Sequence, residues 1–234
     1  MKTLSIDIGG TGLKASVLDE KGKMVVERVR MDTPYPCPPQ VMVDALVQLV
    51  KPLPAFDRVS IGFPGVVREG KVITAPHFKD EKWTRFPLCD VLGKKWGKPV
   101  RLLNDADMQG LAVVKGKGLE LVVTLGTGVG TALFENGELM QRMELAQHPA
   151  WENKTYNEYI GDKVLKKKGK KKWNKRVQHA LELLNTLLNP DLVYLGGGNA
   201  RHLNFKLPKN TKVVPNEAGI LGGIALWEQK DNSL

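Results

Sequence analysis

A strand–glycine turn–strand pattern that occurs twice constrains the fold of this chain more than any other feature. The first copy runs from Leu4 to Leu18 (LSIDIGGTGLKASVL) and the second from Leu121 to Phe134 (LVVTLGTGVGTALF). In each, an apolar, β-branched stretch passes through a Gly/Thr turn into a second apolar stretch, which reads as a β-hairpin. The copies lie about 117 residues apart, half the chain, and self-similarity at that spacing predicts two like-folded lobes.

Strands alternate with helices around these hairpins. MVVERV (24–29) reads as a third strand of the first meander, and ELMQ (138–141) as a closing strand of the second. Val41, Ala45, Leu46 and Leu49 behind Pro39 predict a helix over 39–50. Buried strands are expected at RVSIGF and PVRLL, followed by a helix over 105–115. Val177, Ala180, Leu181, Leu184 and Leu188 form the apolar stripe of a helix over 173–188. DLVYLGGG is a strand running into glycines, KVVP a short strand, and 218–230 a terminal helix. Such alternation defines an α/β protein. The lobes are expected at 1–106 and 107–217, and the terminal helix suits either by pattern alone.

Composition limits the function classes. At 42% hydrophobic and 26% charged residues the profile is that of a soluble globular protein. No apolar run approaches the ~18–20 residues that span a bilayer, so no membrane partner is expected. The opening Met-Lys-Thr-Leu-Ser-Ile-Asp reaches a carboxylate too early for a signal peptide. Cys37 and Cys89 have neither disulfide-framework nor metal-ligand spacing and read as reduced thiols. A cytoplasmic location is the expectation.

The net charge of +10 is concentrated: Lys163, Lys166, Lys167, Lys168, Lys170, Lys171, Lys172, Lys175 and Arg176 fall within fourteen residues with no acid among them. Such a run suits a polyanion, and a merely solvated charged segment is the plainer reading. Trp173 is the single aromatic ring in it, too few stacking platforms to favour nucleic acid.

The turns carry the next signal. Asp7-Ile-Gly-Gly-Thr-Gly-Leu-Lys14 is neither a Walker A loop nor a dinucleotide fingerprint, because it joins two strands. Gly9 and Gly10 let backbone N–H groups approach an anion, with Thr11 and Lys14 adding a hydroxyl and an ammonium. Thr124, Gly126, Thr127 and Gly128 form the counterpart in the second copy, and Gly197 lies in a third glycine-rich strand end. A ligand-free hairpin explains one such turn; three favour a phosphate cradle. Asp7, at a strand end, suits a hydrated Mg²⁺. Asp105, behind PVRLL, fits either a helix N-cap or a general base for a hydroxyl nucleophile.

DIGGTGLKASV, GFPGVV, NDAD, TLGTGVGTALF and LGGG, in this order, resemble the ROK (repressor, open reading frame, kinase) branch of the actin-like sugar kinases, and within it the polyphosphate glucokinases. The resemblance covers nearly the whole chain. It implies a two-lobed actin-like (ribonuclease-H-like) fold, with sugar and phosphoryl donor meeting in the cleft and the terminal helix returning to lobe one. It places the general base on Asp105 and sugar contacts on Asn104, Gly65 and Glu144, with Asp107 left to stabilise the helix start. Gln147 occupies the position of the family's sugar-binding histidine and His148 follows it, so either contacts the sugar or the specificity has changed. The family's cysteine-rich zinc motif is missing, and no zinc is expected. The lysine run, with Lys167, Lys168, Lys171 and Lys172, would hold inorganic polyphosphate. The implied activity is Mg²⁺-dependent phosphorylation of glucose at its 6-hydroxyl by polyphosphate, possible also with ATP, in a homodimer. An ATP-dependent hexose or amino-sugar kinase and a non-catalytic sugar or polyanion sensor are the alternatives. No helix-turn-helix segment precedes Met1, which speaks against the repressor side of the family.

Overall fold

The computed structural model describes residues 1–140, 143–215 and 217–229. Contacts divide the chain into two units, Met1–Ala112 with the segment from Gly219 on, and Val113–Ala218.

Unit 1 contains β1 (Thr3–Ile8), β2 (Gly12–Leu18), β3 (Val29–Asp32), α1 (Pro39–Val50), β4 (Arg58–Phe63), the small hairpin β5 (Val67–Arg68) and β6 (Lys71–Val72), α2 (Leu88–Trp96), β7 (Val100–Asn104) and α3 (Asp105–Leu111). Its five-stranded sheet has the order β3-β2-β1-β4-β7. The hairpin partners are antiparallel, whereas β1, β4 and β7 run parallel. Leu4, Ile6 and Ile8 alternate onto one face of β1 and share a core with Met42, Val43, Leu46 and Leu49 of α1. Phe63, Phe78, Trp83 and Phe86 extend that core with ring centroids 5.1–5.7 Å apart.

Unit 2 repeats the arrangement. It contains β8 (Leu119–Leu125), β9 (Val129–Glu135), β10 (Glu138–Leu139), the hairpin β11 (Pro149–Trp151) and β12 (Lys154–Thr155), α4 (Tyr156–Ile160), α5 (Asp162–Leu188), β13 (Leu192–Gly196) and β14 (Thr211–Val213). The sheet order β10-β9-β8-β13-β14 again joins an antiparallel meander to parallel strands. The two sequence copies thus fold into β1–β2 and β8–β9.

The last helix, α6 (Ala218–Ala225), belongs to unit 1 from Gly219 on and covers the second face of its sheet. Ser5 Oγ donates to Ile220 O at 2.7 Å and Ser60 Oγ to Gly223 O at 2.6 Å. A Cβ on Gly222 would run into the Met108 carbonyl, and one on Gly223 into Ser5 Oγ. Only a glycine-faced helix approaches so closely. Beyond it, Trp227 lies under the guanidinium groups of Arg101 and Arg58, 4.6 and 5.0 Å from its ring.

Four expectations are corrected. The third strand is Val29–Asp32 rather than 24–29: the turn closed by Asp19 brings only Met24 back into a bridge with Leu18, the pairing breaks where Ser16 Oγ donates to the Val26 carbonyl, and it resumes at Ala15–Val29. Helix α3 ends at Leu111, since the N–H groups of Lys115, Gly116 and Lys117 turn to the buried carboxylate of Glu120. Helix α5 begins at Asp162, eleven residues before the expected start, and breaks at Gly169 (φ 75°, ψ 161°). Its first segment buries only Leu165, too little to show periodicity. The terminal helix stops at Ala225, where Arg101 Nη1 takes the carbonyls of Leu226 and Gln229. Gln141 and Lys230, parts of two expected elements, lie outside the described residues.

Candidate active site

In unit 1 the predicted residues collect where β1, β4 and β7 end, the edge at which open α/β sheets bind ligands. Register sets this arrangement, pairing Asp7 with Gly62 on β4, and Gly62 with Leu103 on β7. A Cβ on Gly62 would stand 3.4 Å from the Asp105 Cα, so Asp7 and Asp105 flank the same glycine. Lys14, opposite Asp7 in the hairpin, donates Nζ to Asp7 Oδ2 at 2.8 Å, with side chains only 21% and 17% exposed. The turn between them is tight: Gly9 N donates to Gly12 O at 3.0 Å, and a Cβ on Gly9 would sit 2.9 Å from that oxygen. Thr33 Oγ1 and Tyr35 Oη donate to the carbonyls of Gly9 and Gly10, both at 2.7 Å. Thr11 is exposed at the tip.

Asn104, not Asp105, caps α3: its Oδ1 accepts from Ala106 N at 2.8 Å and Asp107 N at 3.3 Å. Its Nδ2 donates to Gly65 O at 3.2 Å. Gly65 is itself fixed, its N–H bonded to Phe63 O and its Cα against the Thr74 carbonyl, where a Cβ has no room. Asp105, partly exposed at the first helical position, accepts from Ala106 N at 2.8 Å. Asp107 is buried in the same first turn.

Unit 2 builds its turn from different partners. Gly126 N donates to Gly128 O at 2.9 Å, Thr124 Oγ1 accepts from Gly130 N at 3.1 Å, and Thr127 is exposed between them. Gly197, at φ 83°, lies so close to Leu125 that a Cβ would strike its backbone. Asn199 Nδ2 is shared between Gly126 O at 3.1 Å and Asp162 Oδ1 at 3.2 Å, and Asn157 Oδ1 accepts from Val129 N at 2.6 Å. The turn is thereby tied to the head of α5. Along that helix Lys163, Lys166, Lys167, Lys168, Lys170, Lys171, Lys172 and Lys175 are exposed. The one salt bridge from this set among the described residues joins Lys166 to Asp162 at 2.6 Å. The run is therefore an ordered helix surface. Trp173, considered above as a stacking ring, is fully buried and donates Nε1 to Ile160 O at 2.7 Å.

Glu144, Gln147 and His148 sit on one short 3-10 turn, with exposed side chains on either side of buried Ala146. His148 O accepts from Tyr156 N at 3.2 Å, which fixes where the turn joins the β11–β12 hairpin.

As for a metal, no group of three or more His, Cys, Asp and Glu stands ready to hold one among the described residues. The single Asp7 carboxylate, with one oxygen on Lys14, suits a cation that keeps its waters, as Mg²⁺ does, and not a closed protein cage.

Sequence reasoning missed the groups that hold the turns. Asn199 directly follows the triple glycine, and the small residues at 218, 219, 222 and 223 share one helical face, so both left a trace. Gly219 lies beside the Asp7 carboxylate, where an added Cβ would be in ordinary van der Waals contact at 3.5 Å. Thr33, Tyr35 and Asn157 left none.

Two sheets of matching topology, each opening with a glycine-turn hairpin, define the two-lobed fold of the actin-like sugar kinases. A sequence model of the ROK family matches residues 3–146. The chain belongs to that family. It is 33% identical to the polyphosphate glucokinase of Mycobacterium tuberculosis over 93% of this chain and 88% of the relative. The inorganic polyphosphate/ATP-glucomannokinase from Arthrobacter sp. strain KM matches with a TM-score of 0.85 at 32% identity, covering 97% of both chains. A ROK family glucokinase from Streptomyces griseus, crystallised with glucose and AMPPNP, matches at a TM-score of 0.80 over 97% of this chain and 99% of its own. At 19% identity that last likeness is one of fold.

Proposed function

We propose that this chain transfers a phosphoryl group from inorganic polyphosphate, with ATP as a second donor, to the 6-hydroxyl of glucose. The observation that carries the donor assignment is the tie between the Gly126–Gly128 turn and the head of a helix bearing a row of exposed lysines. ATP brings an adenine to recognise, whereas polyphosphate offers only a line of charge, which a lysine surface matches. Similarity to a polyphosphate glucokinase and a polyphosphate/ATP-glucomannokinase supports both donor and acceptor.

In this reading Asp105 accepts the proton of the 6-hydroxyl as its oxygen attacks the terminal phosphorus, and the bridging oxygen of the donor leaves with the bonding electron pair. Because Asn104 caps α3, the Asp105 carboxylate is not needed for that role. Asn104, Gly65 and Glu144 orient the sugar, with His148 or Gln147 as a further contact. Gly9, Gly10, Thr11 and Lys14, and Thr124, Gly126, Thr127, Gly128 and Gly197, receive phosphate oxygens. Lys167, Lys168, Lys171 and Lys172 hold the rest of the polymer. Mg²⁺ held through Asp7 would, when bound, neutralise charge on the transferring group.

The reading includes a cytoplasmic location, expected from the composition and cysteine usage, and a homodimer, implied by the family resemblance. Free Cys37 and Cys89, whose thiols burial pushes up to about 11 and about 12, suit a reducing compartment. No helix in the described residues is long and apolar enough to cross a membrane.

Donor-resolved phosphorylation tests the proposal: purified protein, Mg²⁺ and glucose with either polyphosphate or ATP, and glucose 6-phosphate read by a coupled dehydrogenase. Product from polyphosphate is expected. Product from ATP alone would remove the lysine helix from the donor site, and no product with glucose binding intact would favour a sensor.

A further inference from the structure

A second basic element lies against the lysine helix. After β13 the chain passes through Gly197–Asn199 into a single 3-10 turn, Ala200–His202. Arg201 is exposed there and donates Nε to His202 Nε2 at 3.3 Å. The turn is pinned to α5 by Asn174, a buried amide. Its Nδ2 donates to His202 O and to Lys170 O, both at 2.9 Å, and its Oδ1 accepts from Asn204 N at 2.7 Å. One side chain thus holds the backbone of the turn beside the first residue after the Gly169 break. At the other end Asn199, two residues before Arg201, bonds both the glycine turn and Asp162. Burial and the nearby charges of Lys170 and Arg201 lower the pKa of His202, with Asp162 opposing them. Two cations, Lys170 and Arg201, thus stand near His202 against the single carboxylate of Asp162, which is itself paired with Lys166, and an anion there would relieve the repulsion between them.

On the donor reading above, we propose that Arg201, His202 and Lys170 form a bridging site for a linear phosphate chain. The site connects the Gly126–Gly128 turn to Lys171, Lys172 and Lys175, which lie on the outward side of α5 opposite Trp173, Val177 and Leu181. The end of the chain that is transferred occupies the turn, internal phosphates meet the bridge, and the distal part follows the helix. From Lys170 to Arg176 the helix adds roughly 9 Å of cationic surface at 1.5 Å per residue. A donor of three phosphates is taken up by the turn and ends before the bridge, whereas a long polymer crosses the bridge and covers that surface.

Binding of long-chain polyphosphate and of tripolyphosphate to the intact protein, each titrated over a range of salt, tests the bridge. Arg201→Gln is expected to weaken long-chain binding about tenfold, the loss of one charge-assisted contact. It should also flatten the log–log salt slope by about one unit and leave tripolyphosphate unchanged. Arg201→Lys should restore most of the long-chain affinity, because a point charge suffices for phosphate. Equal loss for both ligands would overturn the polarity of the path, and no loss for either would overturn the bridge. A single-stranded RNA of matching charge that binds as tightly, with the same dependence on Arg201, would overturn its selectivity for a phosphate polymer. If the unmodified protein bound no long-chain polyphosphate, the donor reading itself would fall; unmodified binding with an unaffected Arg201→Gln would sink the bridge alone.

Discussion

Asp105 stands at the first position of α3 while Asn104 before it caps the helix, so the cap does not depend on the carboxylate proposed as the base. Asp105→Asn is accordingly expected to leave the unfolding midpoint nearly unchanged. It should cut kcat by about 10²- to 10⁴-fold, the usual contribution of a positioned base. Steady-state kinetics beside glucose-binding calorimetry checks this, and unaltered turnover would remove Asp105 as the base. Glu120 presents the opposite case, a buried carboxylate with no catalytic assignment. Burial opposes its charge, but hydrogen bonds from Tyr194 Oη and the N–H groups of Lys115, Gly116 and Lys117 outweigh that and hold its pKa below the ordinary value. A depressed carboxylate stabilises the fold above its unfolded pKa, and that stability is lost as pH falls through the folded value. Glu120→Gln should therefore cost about 1–3 kcal/mol at pH 7. The gap to the unmodified protein should close through the acid carboxylate range, as read by urea unfolding at several pH values.

Among the elements, α6 and α5 owe their form to contacts the local sequence does not contain. Helix α6 lies on β1 and β4 because glycines at 222 and 223 admit the Met108 carbonyl and the buried hydroxyls of Ser5 and Ser60. Gly222→Ala should cost about 1–3 kcal/mol by overpacking against backbone. Gly198→Ala, where no atom lies within 4 Å of the added carbon, should be close to neutral. Paired thermal unfolding of the two variants decides it, and equal effects would place α6 elsewhere. Helix α5 was legible only in its second half, where Val177, Ala180, Leu181 and Leu184 repeat at helical spacing. Its first segment is fixed by Asp162, held by Asn199, and by the single buried Leu165, neither of which produces a periodic signal.

For the molecule as a whole, the division into units is discontinuous in sequence: residues from Gly219 on complete the first. Removing them would take one partner each from Ser5, Ser60, Arg58 and Arg101. A chain ending at Ala218 is expected to lose hydrogen-exchange protection in β1 and β4 while β8 and β13 keep theirs; equal loss in both sheets would show that the units do not unfold separately. The sequence by itself determined the two hairpins, the α/β class, the strand-end positions of Asp7, Asn104 and Asp105, and the charge on 163–176. Those signals are local, because β-branched runs, glycine turns and helical spacing act over a few residues. Tertiary structure decided the rest. It gave the N-cap to Asn104, turned a lysine run into an exposed helix face with Trp173 inside, and set Asn199 and Asn174 as ties between distant segments. Each of those outcomes depends on which backbone groups remain unbonded after the sheets form, and that is fixed only when residues far apart in the chain come together.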